Sequence, residues 1–436
     1  MFHLGWFVGN GYSVQSWGRD WAGTDNDDWW SPSLYSDAAR ALERACFDFM
    51  VFQDGLMVPD VFGGSMEADL KFAQEIPRSD PTAMVAVLTQ VTKNLGYIPT
   101  ISTSFYPPFM AARMLATLDQ LSAGHAGGNL VTSASDRAAQ NFGLDGHHDH
   151  DLRYGMAEEW TDLVTRLWDS WEPGAVVMDT ENHVFADYTK VHPIHFSGRH
   201  YSSRGPLNTP PGPQGRPVIS QAGGSPAGRE FGARFADVIF CVPNGIESMK
   251  AYRRDIHERM AKYGREPGEC KILFMVDPVI GETDQVARDI AAARAAAKES
   301  DAYVEEHLSV MSYFSGIDFS QFDLDQPMPD LDGKVNAQQS TMARYQKDAA
   351  GKTLRELVIA HNMVATIDLV GSPDTVATRM GEVIDEVGGD GFLLAGPLNR
   401  KNIAEITDGL VPALKRKGLT RSSYTGATLR ENLRAF

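Results

Sequence analysis

The chain has 436 residues, 43% hydrophobic and 22% charged, with a formal net charge of −17. This length allows two or three domains or one α/β barrel with insertions, and the acidic balance without a basic stripe argues against a nucleic-acid partner. No apolar run approaches the roughly 18 residues that span a bilayer, and the N-terminus lacks the basic start and small-residue cleavage site of a signal peptide, so a cytoplasmic protein with no membrane partner is expected.

Short apolar runs alternate with helix-like stretches along most of the chain. A first strand at 3–8 precedes a helix at 32–44, a second at 47–53 precedes a helix at 80–93, and a third at 95–103 precedes a helix at 108–121. The pattern continues with strands at 126–132, 217–222, 237–243, 271–277 and 391–395, and helices at 151–171, 227–235, 246–263, 282–300 and 372–387. Asp80-Pro81 and Ser372-Pro373-Asp374 each combine a capping side chain with proline at the first helical position, a strong start signal. Eight strands with intervening helices predict an α/β fold of the (β/α)8 TIM-barrel type. Cys46, Cys241 and Cys270 are widely spaced in apolar settings and read as buried thiols, not as a disulfide framework or a zinc knuckle.

Four connections exceed plain barrel turns: 9–31, 55–79, 172–216 and 302–352. They are expected as insertions in one domain spanning 1–436, and all but the third as walls of a deep pocket, since long loops are usually functional. Trp17, Trp21, Trp29 and Trp30 in the first would wall that pocket or anchor the loop.

Chemistry-bearing residues gather at strand ends, where α/β folds place ligands. The run from Gly127 to Tyr154 takes an apolar strand through Asn129 and Thr132-Ser133 into a His-rich loop. Gln221 to Gly228 is a strand, a Gly-rich turn and a helix start, in which backbone N–H groups and the Ser225 hydroxyl suit a phosphate; a simple helix cap is the alternative. Pro226 argues against Ser225 as a nucleophile, because proline has no N–H to offer an oxyanion. His147, His148, Asp149, His150 and Asp151 lack the spacing of a metal motif, so no metal is expected, and His150, Arg153 and Tyr154 read instead as binding an anion or a ring edge. Asp54 closes the second strand beside Gly55, with an ordinary turn aspartate as the alternative.

Taken together, LERACFDFMVFQDG (42–55), YPPFMAARMLATLDQLSAG (106–124), NLVTSASDRAAQNFG (129–143), HDLRY (150–154), the stretch 204–237 around QAGGSPAG, and VPALKRKG (411–418) resemble the bacterial luciferase-like flavin monooxygenases. The likeness points to the branch with nitrilotriacetate, dibenzothiophene-sulfone and dimethylsulfide monooxygenases. The resemblance implies a barrel that holds FMN as FMNH2, supplied by a separate NAD(P)H-dependent flavin reductase, and that uses O2 through a C4a-(hydro)peroxyflavin to oxygenate a small organic substrate. It further implies Asp54 and Thr100 facing the isoalloxazine, Asn129 beneath it, and His150, Tyr154 and Ser225 at the ribityl and phosphate end. Asp54 and His150 are the candidate acid or base, and relatives suggest a dimer or tetramer. Relatives have an aromatic residue just before the asparagine and a basic one after the preceding glycine; here Gly128 and His125 stand there, and Gly128 is expected to enlarge the pocket. The alternative is a deazaflavin- or flavin-dependent oxidoreductase doing hydride transfer on the same barrel. A metal-dependent barrel hydrolase and a non-catalytic flavin-binding protein are more distant rivals.

Overall fold

The computed structural model describes residues 1–18, 21, 25–328, 331, 345–349, 351–360 and 367–436. Eight strands close a barrel: β1 (His3–Val8), β2 (Phe49–Phe52), β3 (Gly96–Ser102), β4 (Gly127–Val131), β5 (Val218–Gln221), β6 (Val238–Cys241), β7 (Lys271–Val276) and β8 (Gly391–Leu394). All eight neighbouring pairs are parallel, and β8 returns to β1 with His3 opposite Gly391. The runs are mostly apolar because a barrel strand is covered on both faces, by the interior and by the helix layer. Phe49, Val51, Ile98, Val218, Val238, Phe240, Leu273 and Leu393 fill the interior. Leu429 and Leu433 of the C-terminal segment join them.

The longer helices are α1 (Ser33–Ala45), α2 (Pro81–Leu88), α3 (Pro108–Leu121), α4 (His150–Trp168), α5 (Pro226–Phe235), α6 (Ile246–Lys262), α7 (Asp284–Ala297), α8 (Asp301–Ser315) and α9 (Pro373–Val387). The proline-led starts form as expected: Asp80 accepts from the Thr82 N–H at 2.8 Å, and Ser372 caps α9. Two elements differ from expectation. The helix expected at 80–93 stops at Leu88, where the Thr89 hydroxyl bonds back to the Ala86 carbonyl at 2.8 Å and competes with the helical ladder. The stretch 302–352 does not begin as a loop: Ser300 caps a new helix, α8, which runs to a left-handed Gly316.

The stretch 55–79 contains the short helix Glu67–Phe72, held to α8 by the Lys71–Glu305 pair at 2.7 Å and by Gln74 donating to Glu306. These two segments therefore cover one side of the carboxyl-terminal mouth together. The stretch 172–216 carries two antiparallel pairs, Val176–Asp179 with Val184–Ala186 and Phe196–Ser197 with Ser202–Ser203. Among the described residues no helix is long and apolar enough to cross a membrane.

Candidate active site at the barrel mouth

The pleat decides which residues look inward. Ile98 and Val218 belong to the interior cluster, so Thr100 and Ser220, two residues further on, share that face nearer the mouth. Register sets Thr100 opposite Asn129 and Asn129 opposite Ser220. The three side chains form one hydrogen-bonded row across β3, β4 and β5. Asn129 Nδ2 donates to Thr100 Oγ1 at 2.9 Å, and Ser220 Oγ donates to Asn129 Oδ1 at 3.3 Å. All three are buried, and such a row is a polar floor set into an otherwise apolar barrel.

A second group forms where α5 begins. Ser225 is the N-cap of α5, accepting from the Gly228 N–H at 3.1 Å, with Pro226 at the first position. Tyr154 of α4 brings its hydroxyl to Ser225, Thr132 and Gln221, and burial pushes that phenol up despite those bonds. His150, at the start of α4, stacks obliquely on Tyr154 with ring centroids 5.0 Å apart, and its Nδ1 lies 3.0 Å from Asp151. A Cβ on Gly228 would stand 2.8 Å from Tyr154 Oη, so only glycine leaves this cradle open. Hydroxyl and imidazole donors at a helix N-terminus suit a dianionic phosphate.

Asp54 lies just past β2, half-buried, with Oδ1 accepting from the Gly55 N–H at 2.9 Å. Burial raises its carboxyl to about 7 against the opposing pulls of that hydrogen bond and Arg78; Asp80 adds to the rise. Tyr106 is close enough to feel both Asp54 and Asp80, and burial pushes its phenol up to about 12. The structure thus joins Thr100 with Asn129 and joins His150, Tyr154 and Ser225, while Asp54 sits in a third, acidic group with Arg78, Asp80 and Tyr106.

Two expectations are revised. Gly128 does not enlarge the pocket: a Cβ there would meet Leu115 of α3 at 3.1 Å, so the position faces the helix layer. Trp17, Trp21 and Trp30 are exposed and form no buried wall. Arg153 is buried with Nη1 donating to the His148 carbonyl at 2.8 Å, which ties it to the loop before α4. His147 is also structural. Its Nε2 lies 3.0 Å from the Thr132 carbonyl, and burial lowers it to about 4, which keeps it neutral. Among the described residues no three His, Cys, Asp or Glu side chains are grouped to hold a metal.

Ser220, Tyr106 and Arg78 were not singled out from the sequence. The period of β5 marks Ser220 and Gln221 as polar strand-end residues, a usable signal. Arg78 has none, since it lies in a long connection.

Residues 31–391 match the family model described as luciferase-like monooxygenase. The chain belongs to the luciferase-like monooxygenase family. It is 35% identical over 440 residues to the dibenzothiophene-sulfone monooxygenase of Rhodococcus erythropolis (strain XP), covering 99% of this chain and 96% of the relative. It is likewise 35% identical to the N-acetyl-S-(2-succino)cysteine monooxygenase of Bacillus subtilis (strain 168), with 98% and 95% covered. Among solved structures, riboflavin lyase with modified FMN and riboflavin superposes with a TM-score of 0.89 at 30% identity, over 100% of this chain and 96% of that one. In this luciferase-like chain the polar floor and the helix-capped cradle are of the right chemistry for a flavin mononucleotide.

Proposed function

We propose that this protein is the oxygenase component of a two-component, FMNH2-dependent monooxygenase acting on a small organic substrate, with a separate NAD(P)H-dependent flavin reductase as its partner. The observation that carries this reading is the cradle at the head of α5, where Ser225, Tyr154 and a sterically required Gly228 converge beside the polar floor. Reduced FMN, when bound, supplies two electrons to O2, so that one oxygen atom enters the substrate and the other leaves as water. Ser225, Tyr154 and His150 hold the phosphate end and Asn129 and Thr100 fix the ring, an orientation that rigid strand ends keep within the tolerance chemistry needs.

Asp54 is the proton-handling group. With its carboxyl near 7 it exchanges a proton at neutral pH, and because Oδ1 is engaged by the Gly55 N–H, the proton resides on Oδ2. The covering pair of α8 and the segment 55–79 keeps water from the reacting atoms, which low-dielectric oxygen chemistry requires. His150 belongs to the anion-binding group, so we assign it to the phosphate and leave the acid–base role to Asp54.

The deciding experiment mixes the protein with FMNH2 anaerobically and then with 18O2, with a flavin reductase and a panel of thioethers, sulfones, amines and alkanes. Transfer of one labelled atom to a panel member supports the proposal. Hydride transfer that proceeds without oxygen, with no label in product, would overturn it in favour of a dehydrogenase on the same barrel.

A further inference from the structure

Arg78 is charged, deeply placed and underused. Its side chain is 2% exposed, and its Nη2 donates to Glu75 Oε2 at 2.9 Å. Its Nε and Nη1 are buried with no hydrogen-bond partner among the described residues. Buried guanidinium nitrogens are rarely left unbonded, because desolvation without a replacement partner is costly.

The position of this side chain gives its spare N–H groups a use. A Cβ on Gly55, next to Asp54, would lie 3.1 Å from Tyr313 Oη, 3.7 Å from Arg78 Cδ and 3.9 Å from Arg78 Nε. A Cβ on Gly11, past the end of β1, would lie 3.9 Å from Arg78 Cδ. Two glycines past the ends of β1 and β2 thus flank the Arg78 side chain, with Tyr313 of α8 beside Gly55. Burial raises the Glu75 carboxyl against the pull of Arg78.

We infer that Arg78 receives an oxyanion of the substrate, a carboxylate or a sulfonate, and so sets the reacting atom beside Asp54. Guanidinium N–H groups give short, charge-assisted bonds to such oxygens, and a site built to make them rejects a neutral isostere. This inference rests on the monooxygenase reading, which places the substrate at this mouth.

The test is calorimetric titration of the full chain with excess FMN, without turnover, using 3-(methylthio)propanoate, 2-(methylthio)ethanesulfonate and the neutral 3-(methylthio)propanamide. Wild type is expected to bind at least one anion about tenfold or more tighter than the amide. Arg78→Gln should abolish that preference and leave amide and FMN affinity unchanged, and Arg78→Lys should restore part of it. The double variant Glu75→Gln/Arg78→Gln removes the buried pair as a unit and guards against misfolding of the single one. No anion preference in wild type, the same preference in both Gln variants, or a loss of FMN affinity with Arg78→Gln would each overturn the inference. Because binding is read without oxygenation, a chain that fails the 18O test still reports on Arg78, and the reverse holds.

Discussion

Replacing Asp54 with asparagine tests the proton-handling assignment through stability as well as activity. The Asp54 carboxyl is raised from an ordinary 3.8 to about 7 by burial. Between those values the folded chain keeps a proton that the unfolded chain has released, so folding stability falls as pH rises through this window. At roughly 1.4 kcal/mol per pH unit the full difference amounts to about 4 kcal/mol. Asp54 is only half-buried, and solvent screening reduces this to about 2 kcal/mol. The amide of Asp54→Asn cannot ionise. The stability of this variant relative to wild type should therefore rise by about 1 kcal/mol between about pH 5 and about pH 8, levelling off above 7, as read from urea midpoints at a series of pH values. In the same series, the kinetic limb near 7 in wild-type kcat should disappear. A stability difference that does not change with pH, or a limb that persists in Asp54→Asn, would refute the assignment.

Asn129→Ala leaves the Thr100 and Ser220 hydroxyls without their shared partner, which should cost about 1–3 kcal/mol in thermal or denaturant unfolding and weaken FMN binding in a fluorescence titration. Ser225→Ala removes the α5 cap, at about 1 kcal/mol. Its diagnostic effect is on ligand choice: FMN affinity should fall while riboflavin affinity, which lacks the phosphate, stays close to that of wild type. Gly128→Ala presses a methyl against Leu115 and should destabilise by about 1 kcal/mol, with the order of substrate preference unchanged in a coupled assay.

Much of the architecture is written locally. The eight strands are mostly apolar runs because both faces of each are covered, and a run of neighbours carries that signal without reference to distant chain. Helix starts at Asp80-Pro81, Ser225-Pro226 and Ser372-Pro373 are equally local, since a cap needs only the residues beside it. Asn129 and Ser225 could be nominated from sequence because strand ends and Gly-rich turns announce themselves, whereas Thr100 came only through the family resemblance. The new helix at Ser300 was hidden by a cap without proline inside a stretch of polar residues.

What sequence alone determined, then, is the strand-and-helix alternation of a barrel and its polar strand ends, which follow from periodicity and capping between near neighbours. Only the tertiary structure decided that Gly128 faces Leu115 instead of the pocket, since one step along the pleat reverses a side chain. Only it decided that Asp54 titrates near 7 and that Arg78 is buried with nitrogens to spare. Those properties come from desolvation by segments such as Tyr313 of α8, far away in the chain, and no local pattern records which distant surface will close over a charge.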